Sequence, residues 1–158
     1  MVSMEKKFMQ RAIELAQSNI TNLNGGPFGA VVVKDGKIIG EGCNMVIANN
    51  DPTAHAEVVA IREACKNLDS FQLDDCQIYT SCEPCPMCLG AIYWARPNKI
   101  FYAATREEAE QADFDDSFIY KEVSLPLNQR KIPTVQIMKE EAAAVFQEWN
   151  SQNLKIDY

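Results

Sequence analysis

Histidine is almost missing from this chain: His55 is the one residue of its kind in 158. Any imidazole chemistry must therefore run through that ring. Long apolar runs are missing too. No stretch approaches the roughly 20 residues that span a bilayer, which excludes a membrane-crossing helix. The opening Met1-Val2-Ser3-Met4-Glu5-Lys6-Lys7 leads into a periodic helix and has no apolar secretory core, so the expected location is the cytoplasm. Positive charge is in deficit. Lys and Arg number 15 against 22 Asp and Glu, giving a formal charge of −7. Most nucleic-acid binders need a basic footprint. The balance argues against a polyanionic partner such as tRNA and favours a small neutral substrate. No internal repeat, low-complexity tract or linker interrupts the sequence. The expectation is one domain over residues 1–158, with an ordinary hydrophobic content of 47%.

Cysteine is where the sequence becomes specific. Of six cysteines, three fall in the run Cys82-Glu83-Pro84-Cys85-Pro86-Met87-Cys88. With no sign of secretion, metal binding or reduced thiols explain them better than disulfides. The run follows His55-Ala56-Glu57. One imidazole and two thiolates hold a zinc ion on three sides and leave the fourth for water, which separates a catalytic site from a closed structural one. His55, Cys85 and Cys88 are the candidate ligands, and Glu57 is the candidate proton carrier. Cys85 and Cys88 are spaced i, i+3 and share one helix face. His55 and Glu57, at i, i+2, converge only if the metal sits over a helix N-terminus. There the positive end of the helix favours thiolates.

Each of these residues has a plainer reading. A histidine taken alone is most often a surface or core residue. Cys82 as fourth ligand would make a closed structural site, but Pro84 and Pro86 constrain the loop and place Cys82 off the shared face. Glu57 alone would be a helix-start carboxylate stabilised by the macrodipole. Asn44 reads equally as a turn residue. Asp115-Asp116 reads as a solvated loop or a helix cap. Cys43, Cys65 and Cys76 read as small buried hydrophobes.

Periodicity orders the elements. Met4 to Ile20 fits an amphipathic helix, with Phe8, Ala12, Ile13, Leu15 and Ala16 on its apolar side. Asp35-Gly36 between two apolar runs marks a two-residue hairpin. A helix is predicted from Ala54 to Lys66 with Thr53 as a possible N-cap. A strand follows at Gln77–Thr80, then a helix from Cys85 to Arg96 ended by Pro97. Lys99–Ala104 is a strand, Arg106–Ala112 a short helix, Pro133–Met138 a last strand and Lys139–Gln152 a last helix. A hairpin followed by β-α-β units gives a mixed sheet with helices on both faces.

Four stretches carry a resemblance over nearly the whole chain. They are Gly25-Gly26-Pro27-Phe28-Gly29-Ala30-Val31, Asn50 to Glu57, Tyr79 to Cys88, and Phe114-Asp115-Asp116-Ser117-Phe118-Ile119-Tyr120. The H-x-E and P-C-x-x-C pattern is the signature of zinc-dependent nucleobase and nucleoside deaminases. The stretches together resemble the bacterial guanine deaminases of the cytidine-deaminase-like superfamily. That resemblance implies a three-layer α/β/α fold with a mixed sheet of about five strands. It implies zinc on His55, Cys85 and Cys88, with Glu57 shuttling protons. It also implies a purine pocket lined by Phe28, Asn44 and Ala56, with Asp116 on the guanine edge and Tyr158 closing over the base. Homodimers that exchange a C-terminal segment, about residues 139–158, are implied as well. The expected reaction is guanine to xanthine and ammonia, in purine catabolism or salvage. The rivals are deamination of guanosine, cytosine or tRNA adenosine, and a zinc-stabilised binding module without turnover.

Overall fold

The Asp-Gly pair turns the chain as its residue types require. Asp35 and Gly36 both lie at positive φ, 49° and 72°, the backbone of a two-residue hairpin turn. They join β1 (Gly29–Lys34) to β2 (Lys37–Cys43). In the computed structural model, which describes residues 3–156, this hairpin is the start of a four-stranded mixed sheet. β3 (Cys76–Cys82) pairs antiparallel with β1, and β4 (Lys99–Ala104) pairs parallel with β3. The order is β2-β1-β3-β4.

The strand β1 is buried on both sides, so its sequence is a continuous apolar run. Val31 and Val33 meet Tyr79, with Phe8, Met9 and Leu15 of α1 (Met4–Asn22) packed against them. Ala30 and Val32 face the other way. They join Ala56, Ala60 and Ala64 of α3 (Ala56–Leu68) and Ile92 and Ala95 of α4 (Pro86–Ala95). Three layers result: α1, the sheet, then α3 with α4. The short helices α2 (Val46–Asn49) and α5 (Arg106–Glu110) complete this unit, Met1–Asp116. A second unit, Ser117–Tyr158, contains α6 (Ser117–Ser124), a 3-10 turn at Leu127–Gln129, and α7 (Lys139–Ser151). None of its described residues is buried.

Several expectations need correcting. The sheet has four strands, not about five. Pro133–Met138 forms no strand among the described residues, and Val135 and Ile137 are exposed there. Alternation is only half of a strand, since a ladder needs a neighbour to bond. Thr53 does not cap α3. Its N–H and hydroxyl both donate to Asp51 Oδ1, at 2.8 and 2.7 Å, closing a local turn. His55 takes the N-cap position and the helix begins at Ala56. Helices α2 and α6 were not foreseen.

Candidate active site

Small residues bring α3 onto the sheet. Ala56, Ala60 and Ala64 repeat every four residues and face Gly40 and Gly42 of β2. A Cβ on Gly40 would come within 2.5 Å of Ala60 O, so only glycine permits this approach. The start of α3 is thereby fixed above the end of the sheet, beside the start of α4.

The two helix starts carry the chemistry. His55 caps α3 with an extended backbone, φ −68° and ψ 156°. Cys85 caps α4 in nearly the same conformation, φ −65° and ψ 167°, with Pro86 following at the first helical position. Cys85 Sγ accepts the Cys88 N–H at 3.5 Å. His55 Nδ1 lies 3.6 Å from Cys85 Sγ and 3.5 Å from Cys88 Sγ. The three donor atoms fall within 4.8 Å of one another. One imidazole nitrogen and two sulfurs at that spacing fit a zinc ion, which favours such mixed ligands in tetrahedral array. Cys82 stays outside the cluster. Its thiol points to Thr105 O at 3.5 Å, and burial pushes its pKa up to about 11.

Proton affinities in the cluster are strongly divided. The Cys88 thiol bonded to Cys85 lowers the Cys85 pKa to about 4, with His55 adding to the effect. The same bond, with burial and the Glu57 charge, drives Cys88 far upward. The shared bond pushes the two sulfurs in opposite directions, and a divalent cation held between them would favour the thiolate form of both. The bond to Cys85 raises the His55 pKa. Glu57, in the first turn of α3, is 8% exposed, and its Oε2 lies 3.4 Å from Cys88 Sγ. Burial raises its pKa above the ordinary carboxylate value.

The other residues singled out from the sequence have their own surroundings. Asn44 is buried at the end of β2, and its Oδ1 accepts the Val46 N–H at 3.1 Å. That bond orients the amide and leaves its NH2 group as a donor. The half-buried Phe28 ring meets Phe114 edge to face, with centroids 5.0 Å apart at 87°. Ala56 is fully buried at the first position of α3. Burial, and then the Cys85 charge, raise the Asp116 pKa. Tyr158 lies outside the described residues. Sequence reasoning assigned no role to Phe114, which braces Phe28, nor to Asn19 in α1. The signal for Asn19 was available: it is a polar residue seven positions after Ala12, on the core-facing stripe.

The cytidine and deoxycytidylate deaminase zinc-binding region matches residues 2–104. The chain belongs to this family of zinc-dependent deaminases. Within it, the guanine deaminase of Bacillus subtilis is 58% identical over 151 residues, covering 96% of this chain and 97% of that relative. The X-ray structure of the Bacillus subtilis guanine deaminase superposes with a TM-score of 0.94 at 57% identity, covering 97% of this chain and 98% of that one. A tRNA-specific adenosine deaminase of Haemophilus influenzae is 42% identical over 102 residues, which is 64% of this chain and 58% of that relative.

Proposed function

We propose that this protein hydrolyses guanine to xanthine and ammonia, in purine catabolism or salvage in the cytoplasm. One observation carries the reading. His55, Cys85 and Cys88 converge beside a buried Glu57 in a chain 58% identical to a guanine deaminase along 96% of its length.

His55, Cys85 and Cys88 would hold the zinc ion. When bound at such a site, zinc lowers the pKa of a coordinated water towards about 7 and so supplies a nucleophile at neutral pH. Glu57 takes the proton released by the water and delivers it to ring N3 as oxygen adds to C2. It then carries the second proton to the departing amine. Water adds, ammonia leaves and no redox change occurs. The raised proton affinity that burial gives Glu57 suits a group that must both take and return a proton.

Recognition falls to the residues around the cluster. Phe28 provides an apolar face for the purine ring, and Asn44 offers its NH2 group to a ring acceptor. Ala56 borders the base at the first turn of α3. Asp116 accepts from N1–H and the C2 amine of guanine. Adenine presents an unprotonated N1 at that edge and would leave the acceptor unpaired, a mismatch that sites of this kind reject by roughly 10⁴-fold or more.

Tyr158 closes the pocket and excludes water. We assign the working form to a homodimer that exchanges its C-terminal segment. Two features support the exchange: the outer edge of β4 is unpaired among the described residues, and Pro133–Met138 is an alternating apolar segment without a ladder partner. The net charge of −7 fits a small purine better than a nucleic acid. No helix among the described residues is long and apolar enough to cross a membrane.

The test is ammonia release from a panel of guanine, guanosine, adenine, cytosine and an adenosine-34 tRNA anticodon stem. Guanine should react fastest, giving xanthine. Preference for the tRNA would favour the editing branch, and no ammonia from any substrate would favour a binding module.

A further inference from the structure

Asn19 breaks two local rules. It sits in the last turn of α1, although asparagine is a weaker helix former than alanine, leucine or lysine. It also lies on the core side with Ala12 and Ala16, 1% exposed. A buried amide is costly unless its groups are bonded. Nδ2 is bonded twice, to Gly26 O at 3.0 Å and to Asn44 O at 2.7 Å. Oδ1 has no hydrogen-bond partner among the described residues. The side chain is therefore used for its two N–H donors.

Both acceptors belong to the walls assigned to the base. Gly26 O also accepts the Phe28 N–H at 2.9 Å, and Phe28 O accepts the Asn44 N–H at 3.1 Å. The bonds close a ring that runs Asn19, Gly26, Phe28, Asn44 and back to Asn19. Gly25 also packs closely on Asn44. A Cβ at Gly25 would overlap Asn44 Oδ1 and lie 2.8 Å from its carbonyl oxygen. Asn19 thus holds the Asn44 backbone by its carbonyl, the Val46 N–H holds Oδ1, and Gly25 leaves the space the amide occupies, so the NH2 group is aimed from a fixed base.

We propose that Asn19 is a positioning residue for purine recognition. It fixes the aim of Asn44 and the seat of Phe28 and touches no reacting atom itself. The inference rests on the guanine deaminase reading above, which places Asn44 and Phe28 on the base. Leucine at position 19 would fill the same space but leave Asn44 O without its donor and Gly26 O with only the Phe28 N–H. The Gly26 loop and Asn44 would then relax, and the base would lose a well-aimed hydrogen bond, which corresponds to about tenfold in affinity. The Met45 N–H bonds Ala54 O at 2.8 Å, one residue before His55, so zinc content is a necessary control.

The experiment compares Asn19→Leu and Gly25→Ala with the wild-type protein. Zinc content, circular dichroism, guanine kinetics and inhibition by xanthine are measured on each. Both variants should keep zinc and the native spectrum. The kcat should stay within about threefold, while KM for guanine and Ki for xanthine rise about tenfold, the pattern of a loss shared by ground and transition states. A residue that only stabilised α1 would lower Tm and leave KM unchanged in the folded enzyme. Gly25→Ala strikes Asn44 directly and reports on Asn44 alone, so Asn19→Asp, of the same shape but without the two N–H donors, is carried through the same measurements and decides the matter if Asn19→Leu fails to fold. Unchanged KM and Ki, or a fall in kcat alone, would overturn the proposal. If the wild type instead releases ammonia from another base, the guanine reading fails, and the KM shift measured on that base decides the role of Asn19.

Discussion

Replacing Glu57 by glutamine removes a proton carrier while barely changing shape. Glu57 is 8% exposed and 3.4 Å from Cys88 Sγ, so the amide inherits the same close surroundings. The set His55, Cys85 and Cys88 is untouched, and zinc content should not change. Turnover of guanine should fall by about 10²–10⁴-fold, a barrier increase of about 2.7–5.4 kcal/mol. Stability should move the other way in metal-stripped protein. Burial raises the folded pKa of Glu57 above its ordinary value of 4.5, so the folded state binds the proton more tightly than the unfolded chain. The contribution of this group is full below the unfolded pKa and is lost as pH rises from there through the folded value. Glutamine has no such loss. The Tm of the stripped wild type should therefore drop relative to stripped Glu57→Gln as pH climbs above 4.5. Ammonia assays, metal analysis and thermal melts across pH read all three effects. Turnover within about threefold of wild type would refute the proton-carrier role. Parallel melting profiles would refute the burial argument.

Three further outcomes bear on the site. Cys82→Ala should retain near-full zinc, since its thiol faces Thr105 O, whereas Cys85→Ala and Cys88→Ala should lose it; an empty site in Cys82→Ala alone would point to a closed structural centre. Asp116→Asn should cut guanine turnover by about tenfold or more with little change in Tm, because an acceptor facing two donors becomes half a mismatch. Asp115→Asn is the control, and an effect at Asp115 instead would shift the contact by one residue. Deleting Ile156 to Tyr158 should leave zinc intact and sharply lower deamination, and mixing that truncation with Glu57→Gln should restore activity in heterodimers. Proven heterodimers without rescue would mean that the tail closes its own chain's site.

Short-range chemistry made much of the molecule readable. The Asp35-Gly36 turn has few alternative backbones, and the hairpin sits where the pair places it. The i, i+3 spacing of Cys85 and Cys88 survives any small error in helix boundary, so the cluster was legible before the fold. What failed depended on competition or on distant partners. Thr53 is a good cap by type, yet Asp51 captured its hydroxyl and left the role to His55. Pro133–Met138 alternates like a strand, but alternation does not supply a neighbour. Asn19 stands out as a polar residue on the core-facing stripe, but its use was not legible, because Asn44 comes close only after α1 packs on the sheet. Local competition hid the true cap of α3, and a partner distant along the chain hid the use of Asn19.

His55 and Cys85 are each both a candidate metal ligand and the residue at which a helix begins. Loss of the ion therefore loosens not only a site but the first turns of α3 and α4, where backbone N–H groups have no partner inside the helix. Those amides become a built-in gauge of metal occupancy. In an exchange experiment Glu57 and Val58, with Met87 and Cys88, would take up deuterium faster as zinc is withdrawn, while the β1 amides, anchored in the middle of the sheet, would keep time as the internal clock.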